Sequence, residues 1–140
     1  MKKLLLTLIC FFVSFGVKAK SDDFDGKKLV CNDSVSINKL FSMVGFDFSS
    51  KEMTFYQFQT TTGILNIFKG KYKTNPQRIT FSFSGLDNFL LELDRRDLTV
   101  HLRGDDLPLY RCEELDGDLE IYFKNLQTKI KNELKLKQKI

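Results

Sequence analysis

Tryptophan is absent from the 140 residues, histidine occurs once, at His101, and cysteine occurs three times, at Cys10, Cys31 and Cys112. With no second histidine and no neighbouring cysteine, Cys31 and Cys112 lack the spacing of a zinc site. The glycines form no phosphate-binding loop, and no serine stands in a nucleophile elbow. The apolar run at residues 4–17 has 14 residues, short of the roughly 20 that a membrane-spanning helix needs.

Charge of one sign is also scarce once the N-terminus is set aside. Lys2 and Lys3 precede the apolar run, and Val17-Lys18-Ala19 offers a cleavage site, which together read as an export signal over residues 1–19. Cys10 follows Ile9 where a lipidated cysteine would follow a small residue, so a lipoprotein reading is set aside. Removing Lys2, Lys3 and Lys18 from the 22 basic residues leaves 19 against 18 acidic ones. A net charge of +1 gives no electrostatic case for a nucleic-acid partner. The expected location is the periplasm or the exterior.

Two cysteines remain in the expected mature chain. In an exported protein Cys31 and Cys112 read as a disulfide, with two free thiols or a metal pair as the alternative. Closing a loop of this length is worth roughly 4–5 kcal/mol on the chain-entropy model.

The stretch from 88 to 112 organises the rest. Phe89, Leu91 and Leu93 alternate with polar residues, as do Leu98, Val100 and Leu102 after the turn at Arg95-Arg96-Asp97. This period of two predicts half-buried strands facing a common core. Further strands are predicted at 27–31, 44–48, 53–59, 64–73 and 79–84, with turns at 49–52, 60–63 and 75–77. Gly70 reads as a bulge or bend within its strand. Residues 34–43 suit either a helical turn or a loop. The fold class is therefore all-β: an antiparallel meander of about eight strands over residues 20–115, closed into a small barrel, with a sandwich as the alternative.

From residue 116 to 140 the period changes. Leu119, Phe123, Leu126, Ile130 and Leu134 recur at helical spacing, Asp116 or Asp118 can cap the start, and lysines crowd the end. This basic amphipathic helix is expected to cover a mouth or flank of the barrel, to rest weakly on an anionic membrane surface, or to be a partner-binding or frayed tail.

Catalytic constellations are weak. His101 shares a strand face with Thr99 and Arg103 and reads as a surface histidine. Glu92, Asp94, Asp97, Asp105 and Asp106 read as solvated turn carboxylates kept ionised by Arg95, Arg96 and Arg103. The acidic run from Glu113 to Glu120 fails the EF-hand pattern, because Ile121 and Gln127 stand where glycine and glutamate are required. No cofactor or metal is called for. The aromatics are more informative. Those on both faces of residues 53–59 cannot all enter one core, so some must pack under the C-terminal helix or line an opening, and Tyr56, Phe58, Phe89, Tyr122 and Phe123 are candidate binding residues.

Lys-Leu-Val-Cys at 28–31, Gly-Phe-Asp-Phe at 45–48, Leu-Asp-Arg at 93–95 and Tyr-Arg-Cys at 110–112 resemble small exported bacterial proteins. Ser84-Gly85 and Tyr110-x-Cys112, with one disulfide across a β-meander, are loosely similar to periplasmic inhibitors of c-type lysozyme. Those are compact β-barrels whose loops plug an enzyme's active site. The likeness covers residues 28–112 in layout, implies a barrel and a protein partner, and carries over no functional residue.

The sequence thus points to a non-enzymatic binding protein that meets a protein or envelope component through loops and exposed aromatics. The alternative is a carrier of a small apolar ligand inside the barrel. A hydrolase using turn carboxylates ranks third.

Overall fold

The computed structural model describes residues 24–33, 42–49, 52–84 and 91–139. Among these, the strands in chain order are β1 (Lys28–Asp33), β2 (Met43–Asp47), β3 (Glu52–Phe58), β4 (Leu65–Thr74), β5 (Arg78–Phe83), β6 (Leu91–Asp94), β7 (Thr99–Leu102) and β8 (Pro108–Glu114), followed by one helix, α1 (Leu119–Gln138). Each strand pairs antiparallel with the next, and β8 returns to β1, so the sheet is a closed barrel in meander order. The expected export signal, the ambiguous segment at 34–41 and Phe89 lie outside the described residues.

Alternation explains the interior. Leu29 and Cys31, Val44 and Phe46, Met53 and Phe55, Ile79, Phe81 and Phe83, Leu93, Val100, Tyr110 and Cys112 form one buried cluster. The phenylalanines meet ring on ring: Phe46 and Phe81 stack at 4.9 Å, Phe46 and Phe55 lie at 5.1 Å, and Phe55 and Phe83 at 5.5 Å. Such offset and tilted contacts add to the stabilisation from area burial. Cys31 and Cys112 stand opposite each other across β1 and β8 and are joined. The bond fastens the first strand to the last from inside and fits an oxidising compartment. No described helix is long and apolar enough to cross a membrane.

Gly70 is not a bulge. Its register is continuous with Met53 on one side and Phe83 on the other. A Cβ at Gly70 would collide with the Phe83 ring and the Ser82 carbonyl. The glycine is there to admit a neighbour's aromatic ring, not to bend the strand. The irregularity in the sheet falls instead between Val100 and His101, where β7 slips against β8.

Strands β1 to β3 are apolar on their outer side as well. Val30, Met43, Tyr56 and Phe58 form a second buried cluster with Leu119 and Phe123 of α1. The helix therefore covers a flank of the barrel rather than a mouth. Asp118 is its N-cap and accepts from the Ile121 amide at 2.9 Å, satisfying one of the free amides of the first turn. Phe123 fits because Gly45 opposite it has no side chain. Further along, Gln127 Nε2 donates to the Gly63 carbonyl at 2.8 Å and pins the helix to the turn between β3 and β4.

Candidate functional site

Among the described residues, the aromatics named as binding candidates pack between helix and barrel. Tyr56, Phe58 and Phe123 are buried between helix and barrel, with Tyr56 stacked on Phe123 at 5.2 Å. Tyr122 is half-buried and meets Phe123 edge-on. The reason is the helix: its own apolar stripe needs a wall, and the outward side chains of β1 to β3 supply it. Burial, and after it the charges of Asp47, Glu120 and Asp118, push the Tyr56 phenol up to about 12. Tyr110, buried inside the barrel near Asp33, is likewise pushed up to about 12.

The polar residues of β6 and β7 are the larger surprise. Glu92, Asp94, Thr99 and His101 face away from Leu93 and Val100, yet all four are buried. His101 is 5% exposed, so it is not a surface histidine, and Glu92 and Asp94 are not solvated turn residues. Of the turn carboxylates, Asp97, Asp105 and Asp106 are the exposed ones. Register assembles the cluster: Glu92 lies opposite His101, and Asp94 lies opposite both Thr99 and Arg78.

Cations ring this cluster. Glu92 takes Arg78 at 3.1 Å on one oxygen and Arg103 at 3.4 Å on the other. Arg78 reaches on to Asp106 at 3.4 Å. Burial alone would raise the Asp94 carboxyl. The Arg96 amide at 2.9 Å and the Arg96 guanidinium at 3.4 Å outweigh burial and hold Asp94 below the ordinary carboxylate value.

A relay of short hydrogen bonds runs through Thr99. Its hydroxyl donates to Asp97 at 2.6 Å and also lies 2.6 Å from His101 Nε2. One hydroxyl has one proton. With that proton given to Asp97, the contact to His101 is a hydrogen bond only if Nε2 carries a hydrogen and Thr99 accepts it. The turn that holds Asp97 closes through a bond from the Leu98 amide to the Asp94 carbonyl at 3.0 Å, and Leu98 itself sits at φ 55°, a left-handed backbone that a branched residue adopts only at a cost.

The adjoining stretch of wall is basic. On the outer face of β4, Lys69, Lys71 and Lys73 are exposed at every second position, roughly 7 Å apart. Lys71 lies across from Ser82, and Lys73 across from Thr80. Two hollows run along this row. The first, about 360 Å³, is lined by Glu52, Lys69, Gly70, Lys71, Ser82, Phe83 and Ser84. The second, about 280 Å³, is lined by Lys71, Tyr72, Lys73, Thr80, Phe81, Ser82 and Arg103. Lys71 and Ser82 belong to both, so the hollows join into one open groove whose cations are Lys69, Lys71, Lys73 and Arg103 and whose one acid is Glu52.

Sequence reasoning passed over both regions. The lysines lie on the strand predicted at 64–73, where they were given no role of their own. Only the sheet's register sets serine and threonine hydroxyls beside them. The buried polar cluster had a signal in the alternation of Glu92 with Asp94 and of Thr99 with His101, but a polar face was taken to be a wet one.

Comparison with protein-family models, with curated proteins and with solved structures found no match to this chain.

Proposed function

We propose that this protein is an exported, non-enzymatic binding protein whose working surface is the barrel wall at β4 and β5, and that it engages an anionic component of the cell envelope. The observation that carries this reading is the row Lys69, Lys71 and Lys73 beside the hydroxyls of Ser82, Ser84 and Thr80 in an open groove. Ammonium groups supply attraction, and hydroxyls supply directed donors to phosphate, sulfate or carboxylate oxygens. A row several residues long suits a repeating or clustered anion better than a single small one. The lysine-rich end of α1 adds positive charge to the same molecule.

The barrel interior supports a wall-binding reading over a carrier, since stacked phenylalanines occupy it. The test is capture from a solubilised envelope fraction by the immobilised full chain, compared with a Lys69→Ser, Lys71→Ser, Lys73→Ser variant. The expected result is an anionic component held by the wild type, released by high salt and not held by the variant, because exposed charges are screened within about 10 Å at 0.1 M salt. Equal capture by both proteins would overturn the reading.

A further inference from the structure

We infer that the protein seats one side of its barrel on an anionic phospholipid bilayer, through the outer face of β4 and the flank of α1 beside it. The inference rests on the lysine groove being the working surface, and it names what that surface meets.

The outer face of β4 changes character along its length. Leu65 packs against the cluster beneath the helix. Ile67, Lys69, Lys71 and Lys73 follow at every second position, and all four are exposed. Ile64, just before the strand, is 49% exposed, and Ile67 is 42% exposed. A lone exposed isoleucine is ordinary. Two of them at the head of a row of cations make a surface with an apolar part and a charged part.

The helix brings further lysines to the same edge. Gln127 donates to the Gly63 carbonyl, and a Cβ at Gly63 would stand 3.5 Å from Cγ of Lys131. The flank of α1 that carries these two residues is therefore the one turned towards the start of β4. Lys124 and Lys135 share it, seven residues before Lys131 and four after. Glu120 is on this flank too and is held by Lys124 at 2.5 Å. Its charge reaches the Tyr56 phenol, and Tyr56 stands opposite Ile67. Lysines thus border the two isoleucines on the helix side and along the strand. Across the closed barrel from β4, strand β8 ends in the exposed acids Glu113 and Glu114. Charge placed in this way turns the β4 side towards an anionic surface.

A bilayer is the occupant that fits both parts. Ammonium groups meet the phosphates, and the isoleucines reach the boundary of the acyl chains. A soluble polyanion would meet the lysines alone. No described helix crosses a membrane, so the attachment is peripheral.

The chain has no tryptophan, so Ile67→Trp supplies a single reporter. In the oxidised full chain its emission is expected to shift to the blue with vesicles of phosphatidylglycerol and phosphatidylcholine in equal parts. Lipid brominated on its chains should quench it, and phosphatidylcholine alone should leave it unchanged. Flotation with the mixed vesicles should weaken about 100-fold in Lys69→Ser, Lys71→Ser, Lys73→Ser, at roughly fivefold per lysine. It should weaken about tenfold in Ile64→Ser, Ile67→Ser. Both variants change exposed positions and should keep the urea midpoint of the wild type. An emission that stays in place, or equal flotation of the isoleucine variant, would overturn the inference. Capture of an envelope anion through the lysines without binding to the mixed vesicles would overturn it too, while leaving the proposed function standing. Failure of both capture and flotation would overturn both.

Discussion

Gly45 on β2 lies directly beneath Phe123 on α1: a Cβ added to the glycine would stand 2.5 Å from the ring's Cε2 and 2.9 Å from its Cζ. The helix is seated by a missing side chain. Its neighbours Tyr56 and Phe58 close round the same ring.

Gly45→Val is therefore expected to unseat α1 without disturbing the phenylalanines inside the barrel. Overpacking of this kind costs about 1–3 kcal/mol. Limited proteolysis read by mass spectrometry should show cleavage within the helix at protease concentrations that leave the wild type intact. Phe123→Ala empties the same contact and should cost about 3–5 kcal/mol by urea unfolding.

The link between Cys31 and Cys112 spans 81 residues of chain. A Cys31→Ala, Cys112→Ala variant should lose about 4–5 kcal/mol on the chain-entropy model. The urea midpoint of the wild type should fall by the same amount when reductant is added, and the variant's midpoint should not respond to reductant at all.

Alkali should unfold the protein through its tyrosines. An unfolded tyrosine titrates near 10, whereas Tyr56 and Tyr110 are pushed up to about 12 in the folded chain. The fold favours the neutral phenol, so its contribution is fully present below pH 10 and disappears as the pH rises through 12. Two pKa units correspond to about 2–3 kcal/mol per group. Chemical denaturation between pH 9 and about pH 12 should show this decline, and Tyr56→Phe should make it shallower.

Asp118→Ala removes the carboxylate that accepts from Ile121 and should cost about 1 kcal/mol. Asp118→Asn keeps the cap. The pair, compared by thermal unfolding, separates the cap from the general loss of a negative charge at the helix start.

The architecture was legible because period two survives burial on one side. Phe81 and Phe83, Leu91 and Leu93, and Val100 all point where their spacing places them. Asp118 capped a helix whose apolar stripe was plain. Three things were not legible, for related reasons. Tyr56 and Phe58 were left between a place under the C-terminal helix and the lining of an opening, because nothing in a strand's own pattern says which side chains a helix 60 residues later will cover. His101 was placed at the surface by a rule that equates the face opposite the core with water. Gly70 was read from its own backbone freedom, whereas its role is set by Phe83 on the next strand.

The seam between the first and last strands is held on both sides. Sulfur joins Cys31 to Cys112 within, and outside it the chain crosses from β8 over β1, where the Leu115 amide bonds the Lys28 carbonyl at 2.8 Å and Lys28 Nζ reaches the Gly117 carbonyl at 2.7 Å. A tensile load applied to the two ends of the chain would run across this joint and bypass every strand between. Stretching should peel α1 away first, after which the oxidised molecule stalls with its barrel intact, and only a reduced one unravels to full length.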